Sequence, residues 1–194
     1  MIYYIADNHF GHKNVIRFDN RPFADTVLMD EVLVHNWNER VTEDDTVYIL
    51  GDCFWKNEEN SVKLIQRLKG HKHLIRGNHD RVHGRLRFYY ESIEHYAEIN
   101  DNDRLVILCH YPIPFYKNQH YGAVMLYGHV HNTREQDFIE KWKRELWESE
   151  IPCNMINVGC MMEYMKYTPR TLDEILAANP APEFRKIRSR KEMT

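Results

Sequence analysis

The sequence predicts a layered α/β domain, and three observations lead to that fold class. Short, largely apolar segments rich in β-forming residues recur along the 194-residue chain, and helical patterns lie between several of them. Because these segments are nearly unbroken rather than alternating, we expect strands that are buried on both faces. Hydrophobic residues make up 43% and charged residues 28% of the chain, which is typical of a globular protein with a full core.

The predicted strands are the apolar segments themselves. Their ranges are 2–6, 46–50, 72–75, 105–109, 124–127 and 155–158. We assign residues 1–179 to one domain and expect residues 180–194, which alternate basic and small residues after Pro180 and Pro182, to form a loosely held basic tail.

Three helices are predicted from periodicity and capping signals. In 25–40, Met29, Leu33 and Trp37 repeat every four residues, and Asp25 or Thr26 can cap the start. A second helix is expected over 61–69, before a glycine that favours a helix end. A third is expected from a capping box at 171–174 through residue 178.

The charged segment 132–152 fits less simply. Its Phe138, Trp142 and Leu146 repeat at helical spacing. We expect a surface helix that packs this stripe on the sheet or its helices, and a lid or dimer contact is the alternative interpretation.

Five polar motifs stand at the ends of predicted strands. They are Asp7-Asn8-His9, Gly51-Asp52, Gly77-Asn78-His79-Asp80, Cys109-His110 and Gly128-His129-Val130-His131. In α/β sheets, ligands bind beyond the carboxyl ends of the strands. The motifs supply carboxylate, imidazole and amide groups, which borderline divalent metals accept. We therefore predict a metal site at this edge.

The spacing within the motifs suggests two metal ions. Asp7 and His9 alternate by two residues in an extended segment, so both side chains leave the same face, and His129 and His131 do likewise. Two ions about 3.5–4 Å apart need a shared anionic ligand. Asp52 alone follows a buried strand with no second acid, so it is the best candidate for that bridge.

Composition restricts other functions. The formal net charge of −3 offers no general attraction to nucleic acid or to anionic membranes. The four cysteines form no C-x-x-C pair, so we expect reduced thiols and a cytoplasmic location. Cys53 and Cys109 adjoin candidate ligands, and strand alternation favours a packing role for them over a role as thiolate ligands. His35 and His95 are expected to be surface or packing residues.

Taken together, the five motifs resemble those of the calcineurin-like metallophosphoesterases in order and type. The run from Asp7 to His12 and the stretch 16–23 are also similar to a small bacterial branch of predicted phosphoesterases in that superfamily. The resemblance extends from residue 1 to about residue 179. It implies an α/β/β/α sandwich with two mixed sheets and a metal site at the carboxyl ends of the strands.

The resemblance also implies roles for individual residues. One metal would be bound by Asp7, His9, Asp52 and His131, and the other by Asp52, Asn78, His110 and His129. His79 matches a catalytic histidine that is not a ligand, and Asp80 matches the acid that orients it. The implied reaction is hydrolysis of a phosphate ester by a metal-activated hydroxide that attacks phosphorus in line.

Residues near the motifs are candidates for substrate binding. His12, Arg17, Arg21 and Arg76 could reach a substrate phosphate. Trp55 and Tyr111 could stack on a base or sugar. Surface or packing roles are equally compatible with their positions.

The expected substrate is a small phosphomonoester or phosphodiester. A nuclease that acts on single-stranded nucleic acid and a non-catalytic metal-binding scaffold are the alternatives. The expected cofactors are two divalent ions, with Mn or Fe favoured over Zn, Ni or Co. Oligomeric state and physiological substrate are not encoded in any motif.

Overall fold

The computed structural model describes residues 1–183, so residues 184–194 of the predicted tail lie outside the described residues. The strands are β1 (Ile2–Ile5), β2 (Thr46–Ile49), β3 (His71–Ile75), β4 (Ser92–Glu94), β5 (Tyr96–Asp101), β6 (Arg104–Cys109), β7 (Val124–Tyr127) and β8 (Met155–Asn157). The α-helices are α1 (Lys13–Phe18), α2 (Thr26–Arg40), α3 (Glu58–Ile65), α4 (Arg134–Glu148) and α5 (Leu172–Ala178). Within residues 1–183, every helix is too short or too polar to cross a bilayer.

The strands form two four-stranded sheets. The first has the order β1-β2-β3-β4 and is parallel throughout, with Ile49 of β2 paired to Ile5 and to Leu74. The second has the order β5-β6-β7-β8, in which only the β5–β6 pair is antiparallel. The α/β fold class is therefore confirmed. The prediction of two mixed sheets is correct for the second sheet and wrong for the first, because β4 joins β3 in the parallel direction.

The two sheets meet at the residues that follow β1. The backbone N–H of Ala6 donates to the carbonyl oxygen of Val158, and the N–H of Cys160 donates to the carbonyl of Ala6, each at 2.8 Å. The next residue, Asp7, donates its N–H to the carbonyl of Gly51, just beyond β2, at 3.0 Å. This junction brings the segments after β1, β2 and β8 together at one place.

The second sheet buries both of its faces. One set of side chains belongs to the same buried cluster as β1, β2, β3 and α2; it comprises Val106, Leu108, Val124, Leu126 and Ile156. The alternate set belongs to a second cluster with α4; it comprises Ile107, Cys109, Met125, Tyr127 and Met155. Burial on both faces explains why these strands are unbroken apolar runs.

Helix α4 confirms the expected surface helix, but the residues that it buries differ from the predicted ones. Its buried residues are Gln136, Ile139, Lys143 and Leu146. Phe138, which was expected in the stripe, is 65% exposed. The two helices with clear caps agree better with prediction: Asp25 caps α2 through Leu28 N, and a full capping box at Thr171 opens α5.

Helix α3 begins earlier than predicted. The side chain of Asn57 accepts a hydrogen bond from Asn60 N, which starts the helix at Glu58, and the helix ends at Ile65 rather than at residue 69. The predicted range was therefore displaced by one turn. Helix α1 and strands β4 and β5 were not predicted at all.

Replacing Trp37 with alanine is expected to lower the free energy of unfolding by about 3–5 kcal/mol, because a large side chain leaves a cavity in the core. Trp37 is fully buried in α2, and its indole N–H donates to the carbonyl of Lys69 at 3.0 Å. Urea unfolding measures the change. Val27→Ala, on the same helix at a position that is 70% exposed, is the control and should change stability by less than about 0.5 kcal/mol. Equal effects of the two substitutions would contradict the prediction.

Candidate metal centre

The loops that follow β1, β2, β3, β6 and β7 deliver polar side chains to one place. Five of these residues adopt left-handed backbone conformations, with φ between 51° and 70°; they are Asp7, His9, Asp52, His129 and His131. Residues other than glycine rarely adopt this conformation, and such strain concentrates at functional sites. The backbone therefore turns sharply in the loops after β1, β2 and β7, which brings their side chains toward the site.

The glycines in the motifs leave space for these side chains. A Cβ atom on Gly128 would lie 2.6 Å from Oδ2 of Asp7, and one on Gly77 would overlap Oδ1 of Asp52. The pairing of glycine with Asp, Asn or His in the motifs therefore has a steric reason, since the neighbouring motif occupies the space above each glycine.

One group of potential ligands consists of Asp7, His9 and His131. Each offers one atom that lies within 4.8 Å of the other two. The Nε2 atoms of His9 and His131 are 3.1 Å apart, and Nε2 of His131 is 3.8 Å from Oδ1 of Asp7. Burial raises the pKa of Asp7 to about 6, while burial and the neighbouring His131 lower the pKa of His9. Neutral imidazole is the form that binds a metal.

A second group contains Asp7, Asp52 and His110, all fully or almost fully buried. Asn78 and His129 lie beside it. The amide oxygen of Asn78 is 3.1 Å from Nε2 of His110 and 3.0 Å from Nδ1 of His129. Burial and the neighbouring His110 lower the pKa of His129.

The carboxylate of Asp52, which belongs to the second group, also lies close to His9 of the first group. Its Oδ2 atom is 3.7 Å from Nε2 of His9 and 3.7 Å from Nε2 of His110. Its other oxygen, Oδ1, accepts a hydrogen bond from the backbone N–H of His79 at 2.9 Å. This bond fixes the orientation of the carboxylate and leaves Oδ2 directed at both histidines.

The donor set fits a cation. Nδ1 of His110 lies 2.8 Å from the carbonyl oxygen of Leu50, which can only accept, so Nδ1 carries a proton and, in the neutral imidazole, Nε2 carries a lone pair. That lone pair faces the amide oxygen of Asn78 and the carboxylate of Asp52, which are also acceptors. A buried convergence of acceptors is stabilised when a metal ion lies among them. The structure therefore contains Asp and His groups that could hold metal.

Asp19 supports the first group and was missed by sequence reasoning. Its Oδ1 atom is 2.7 Å from Nδ1 of His131, so the other nitrogen of His131 faces the candidate site. Burial disfavours a charged imidazole, but the bond to Asp19 and the charge of Asp7 outweigh burial and raise the pKa of His131. A carboxylate behind a ligating histidine fixes its tautomer and raises its basicity.

Arg21 lies behind this carboxylate rather than at a substrate position. Its side chain is buried, and it lies 2.8 Å from Oδ2 of Asp19. It also donates to the carbonyl oxygens of Asp7 and Asn8, each at 2.9 Å. The structure thus places Arg21 where it holds the first motif and Asp19 in position, so the expectation that it could reach a substrate phosphate is not supported by its location.

Replacing Asp19 with asparagine is expected to weaken Mn²⁺ binding by about 10–100-fold, the usual cost of losing a partner of a ligating histidine. The substitution keeps the shape of the side chain and removes the charge that faces His131. Calorimetric titration of metal-free protein with Mn²⁺ measures the affinity. Asp44→Asn, at an exposed position, is the control. Unchanged affinity in the Asp19 variant would show that His131 does not need this partner.

Asp80 was expected to orient the imidazole of His79, but its carboxylate binds backbone groups instead. Its carboxylate accepts hydrogen bonds from the backbone N–H groups of Asp52, Cys53 and Gly77 at 2.8–3.0 Å. Burial raises the pKa of Asp80 against the effect of these bonds. Asp80 therefore joins the loops after β2 and β3 and holds Asp52 in place.

The ring of His79 is exposed beside the potential ligands. Its centroid is 5.9 Å from that of His9 and 4.8 Å from that of Trp55, which it meets edge-on. His12 stacks on Trp55 with a centroid distance of 4.0 Å. His12 thus lies near the site, packed against an aromatic ring.

The remaining candidates lie farther out or in the core. Arg17 is exposed and lies over the ring of Phe18, and Arg76 is exposed with its Nε donating to the carbonyl of Asp80 at 3.3 Å. Cys53 and Cys109 are buried in the two apolar clusters, and burial raises the pKa of both thiols. Their packing role agrees with strand alternation.

A cleft of about 520 Å³ opens beside the potential ligands, within the size range of small-molecule sites. Its lining includes Asn78, His79 and Asp80, together with residues of the segment 54–61 and of the segment 81–90. The cleft therefore lies between the candidate metal centre, α3 and the segment that follows β3.

These features define an α/β protein whose strand ends carry Asp and His groups that could hold metal. The uncharacterized protein MJ1445 of Methanocaldococcus jannaschii is 32% identical over 179 residues, which cover 90% of this chain and 89% of that protein. The chain belongs to the same family as MJ1445. No family model matches the chain.

A solved structure shares the fold along most of this chain. Protein AQ665 of Aquifex aeolicus, whose function is unknown, aligns with a TM-score of 0.70 at 25% identity and covers 92% of this chain and 98% of that one. Nuclease MPE of Pseudomonas putida aligns at 0.42 and 22% identity, over 67% and 61% of the chains. The phosphoesterase Yfce of E. coli aligns at 0.35 and 16% identity, over 67% and 69%.

Proposed function

We propose that this protein is a metal-dependent hydrolase of phosphate esters and a member of the calcineurin-like metallophosphoesterase superfamily. The main support is the position of Asp52, whose Oδ2 atom is 3.7 Å from an imidazole nitrogen on each side. A carboxylate flanked in this way suits two divalent ions that share one anionic ligand. The proposed ligands are Asp7, His9, Asp52 and His131 for one ion, and Asp52, Asn78, His110 and His129 for the other.

The chemistry then divides between the metal and the chain. When bound, two divalent ions supply positive charge at the phosphoryl oxygens and lower the pKa of water, which gives the reaction its nucleophile. His79 is exposed and lines the cleft, so its ring can donate a proton to the departing oxygen. The left-handed loops, and the backbone N–H groups that donate to the carboxylate of Asp80, hold the candidate ligands in position before substrate arrives.

The candidate ligands and His79 also indicate the class of metal and of substrate. Mixed nitrogen and oxygen ligands without thiolate suit Mn or Fe, and also Zn, Ni or Co. We propose a small phosphomonoester or phosphodiester as substrate. A histidine poised beside the ligands favours an enzyme over a scaffold, since a scaffold has no need of a proton donor there.

Hydrolysis of generic substrates tests the proposal. Protein loaded with Mn²⁺ should hydrolyse p-nitrophenyl phosphate or bis(p-nitrophenyl) phosphate, and a chelator should remove the activity. Metal analysis should find two ions per chain. A single-stranded oligonucleotide in the same panel tests the nuclease alternative. Protein that binds metal and hydrolyses none of these substrates would support the scaffold alternative and overturn the proposal.

A further inference from the structure

We propose that the cleft beside His79 binds the leaving group of the substrate, that this group is a phosphorylated nucleoside, and that Arg81 binds its phosphate. The inference rests on the proposed function, because it takes His79 as the residue that protonates the departing oxygen. Because His79 lines the cleft and its ring centroid lies 5.9 Å from that of the candidate ligand His9, the part of the substrate that His79 protonates is the part that occupies the cleft.

Two charged side chains that line the cleft, Lys56 and Glu58, already have partners, whereas Arg81 has no ion-pair partner within the described residues. Lys56 is 3.1 Å from the carboxylate of Asp30, so its charge is already paired. The carboxylate of Glu58 accepts a hydrogen bond from the backbone N–H of Arg85 at 2.7 Å and lies 3.9 Å from its Nε atom. Both of these charged side chains line the cleft, and both have partners.

Arg81 differs from them. It lines the cleft, its residue is exposed, and it forms none of the ion pairs found within residues 1–183. The carboxylate next to it in sequence, Asp80, is buried and satisfied by three backbone N–H groups. The imidazole of His83 also lines the cleft. An arginine that forms no ion pair within the described residues is suited to bind a phosphate with two parallel hydrogen bonds.

Besides these charged groups, the cleft has an apolar surface. Trp55, which is 46% exposed, lies at the end near His79, and further apolar side chains continue from it. These side chains are Phe54, Val82, Leu86 and Tyr90. A space with an aromatic wall and one unpaired guanidinium fits a ring that carries a phosphate. The chemistry of a nucleoside phosphate has both parts, whereas a simple alkyl leaving group has neither.

Binding to metal-free protein tests this inference apart from hydrolysis. With chelator present, thymidine 3′,5′-bisphosphate should bind about tenfold more tightly than thymidine, as expected for a charge-assisted contact. Arg81→Gln should remove that difference. Arg87→Gln is the matched control, since Arg87 is exposed on the same segment and does not line the cleft. Equal affinities for the two ligands, or equal effects of the two variants, would overturn the inference.

Hydrolysis separates this inference from the proposed function. Mn²⁺-loaded protein should cleave a thymidine dinucleotide that carries a phosphate on its leaving nucleoside with a KM about tenfold lower than that of the unphosphorylated dinucleotide, and Arg81→Gln should equalise the two. Activity on bis(p-nitrophenyl) phosphate without activity on dinucleotides would overturn the inference and leave the proposed function in place. Failure on every substrate would overturn both.

Discussion

Replacing His79 with alanine is expected to lower the turnover of a phenyl phosphodiester by about 10²–10⁴-fold, the usual contribution of a general acid, while the metal content per chain stays unchanged. The two effects separate because His79 contacts Asp52 through its backbone N–H, which alanine keeps. Its ring lies beside the ligands and supplies none of the atoms in the two groups that could hold metal.

The identity of the leaving group provides the sharper measurement. A p-nitrophenolate needs little protonation when it leaves, so the loss caused by His79→Ala should be smaller for a p-nitrophenyl ester than for a phenyl or alkyl ester. His95→Ala, at an exposed position between β4 and β5, is the control and should change neither rate. A loss that is equal for all leaving groups would assign His79 to binding of the phosphoryl group rather than to proton transfer.

The sequence was informative about the site because each motif follows an apolar strand. Strand ends in an α/β sheet meet at one edge, so the sequence alone predicts that Asp7, Asp52 and His110 lie close together. The six predicted strands are present, with bounds that differ by at most one residue at each end. For these elements, local composition and tertiary burial favour the same structure.

Contacts between distant segments were not predictable in this way. Asp19 is 112 residues from His131, and nothing near it in sequence marks it as the partner of that imidazole. Asp80 stands beside His79 in the chain, yet its carboxylate binds backbone groups of Cys53 and other loop residues. A buried carboxylate accepts hydrogen bonds from N–H groups that have no other partner, and the packing of the loops decides which N–H groups these are.

The missed elements have local reasons. Strand β5 (Tyr96–Asp101) alternates exposed and partly buried residues and is rich in acidic and amide side chains, which favour loops in single-sequence reasoning. Strand β4 is only three residues long, and α1 buries Val15 alone. Each of these elements depends on its neighbours more than on its own sequence, so tertiary context decides it.

Replacing Asp52 with asparagine is expected to reduce the bound metal from two ions per chain to one or none and to remove hydrolysis. The substitution preserves shape, and an amide oxygen can still accept the hydrogen bond from the backbone N–H of His79. It places a neutral amide nitrogen where Oδ2 now lies, 3.7 Å from the imidazoles of His9 and His110. Because two cations repel each other, the loss of the shared negative charge should exceed the roughly 10–100-fold effect of removing a partner behind a ligand.

Metal analysis and thermal unfolding separate a local effect from a global one. Asp101→Asn is the matched control, since Asp101 is a buried carboxylate that binds the hydroxyl of Tyr4 at 2.8 Å, outside both groups that could hold metal. That variant should keep both ions. The Asp52 variant should remain folded without metal, because burial of a neutral amide costs less than burial of an unpaired carboxylate. If it still bound two Mn²⁺ ions with unchanged affinity, Asp52 would not be the shared ligand, and the proposed two-metal mechanism would lose its structural basis.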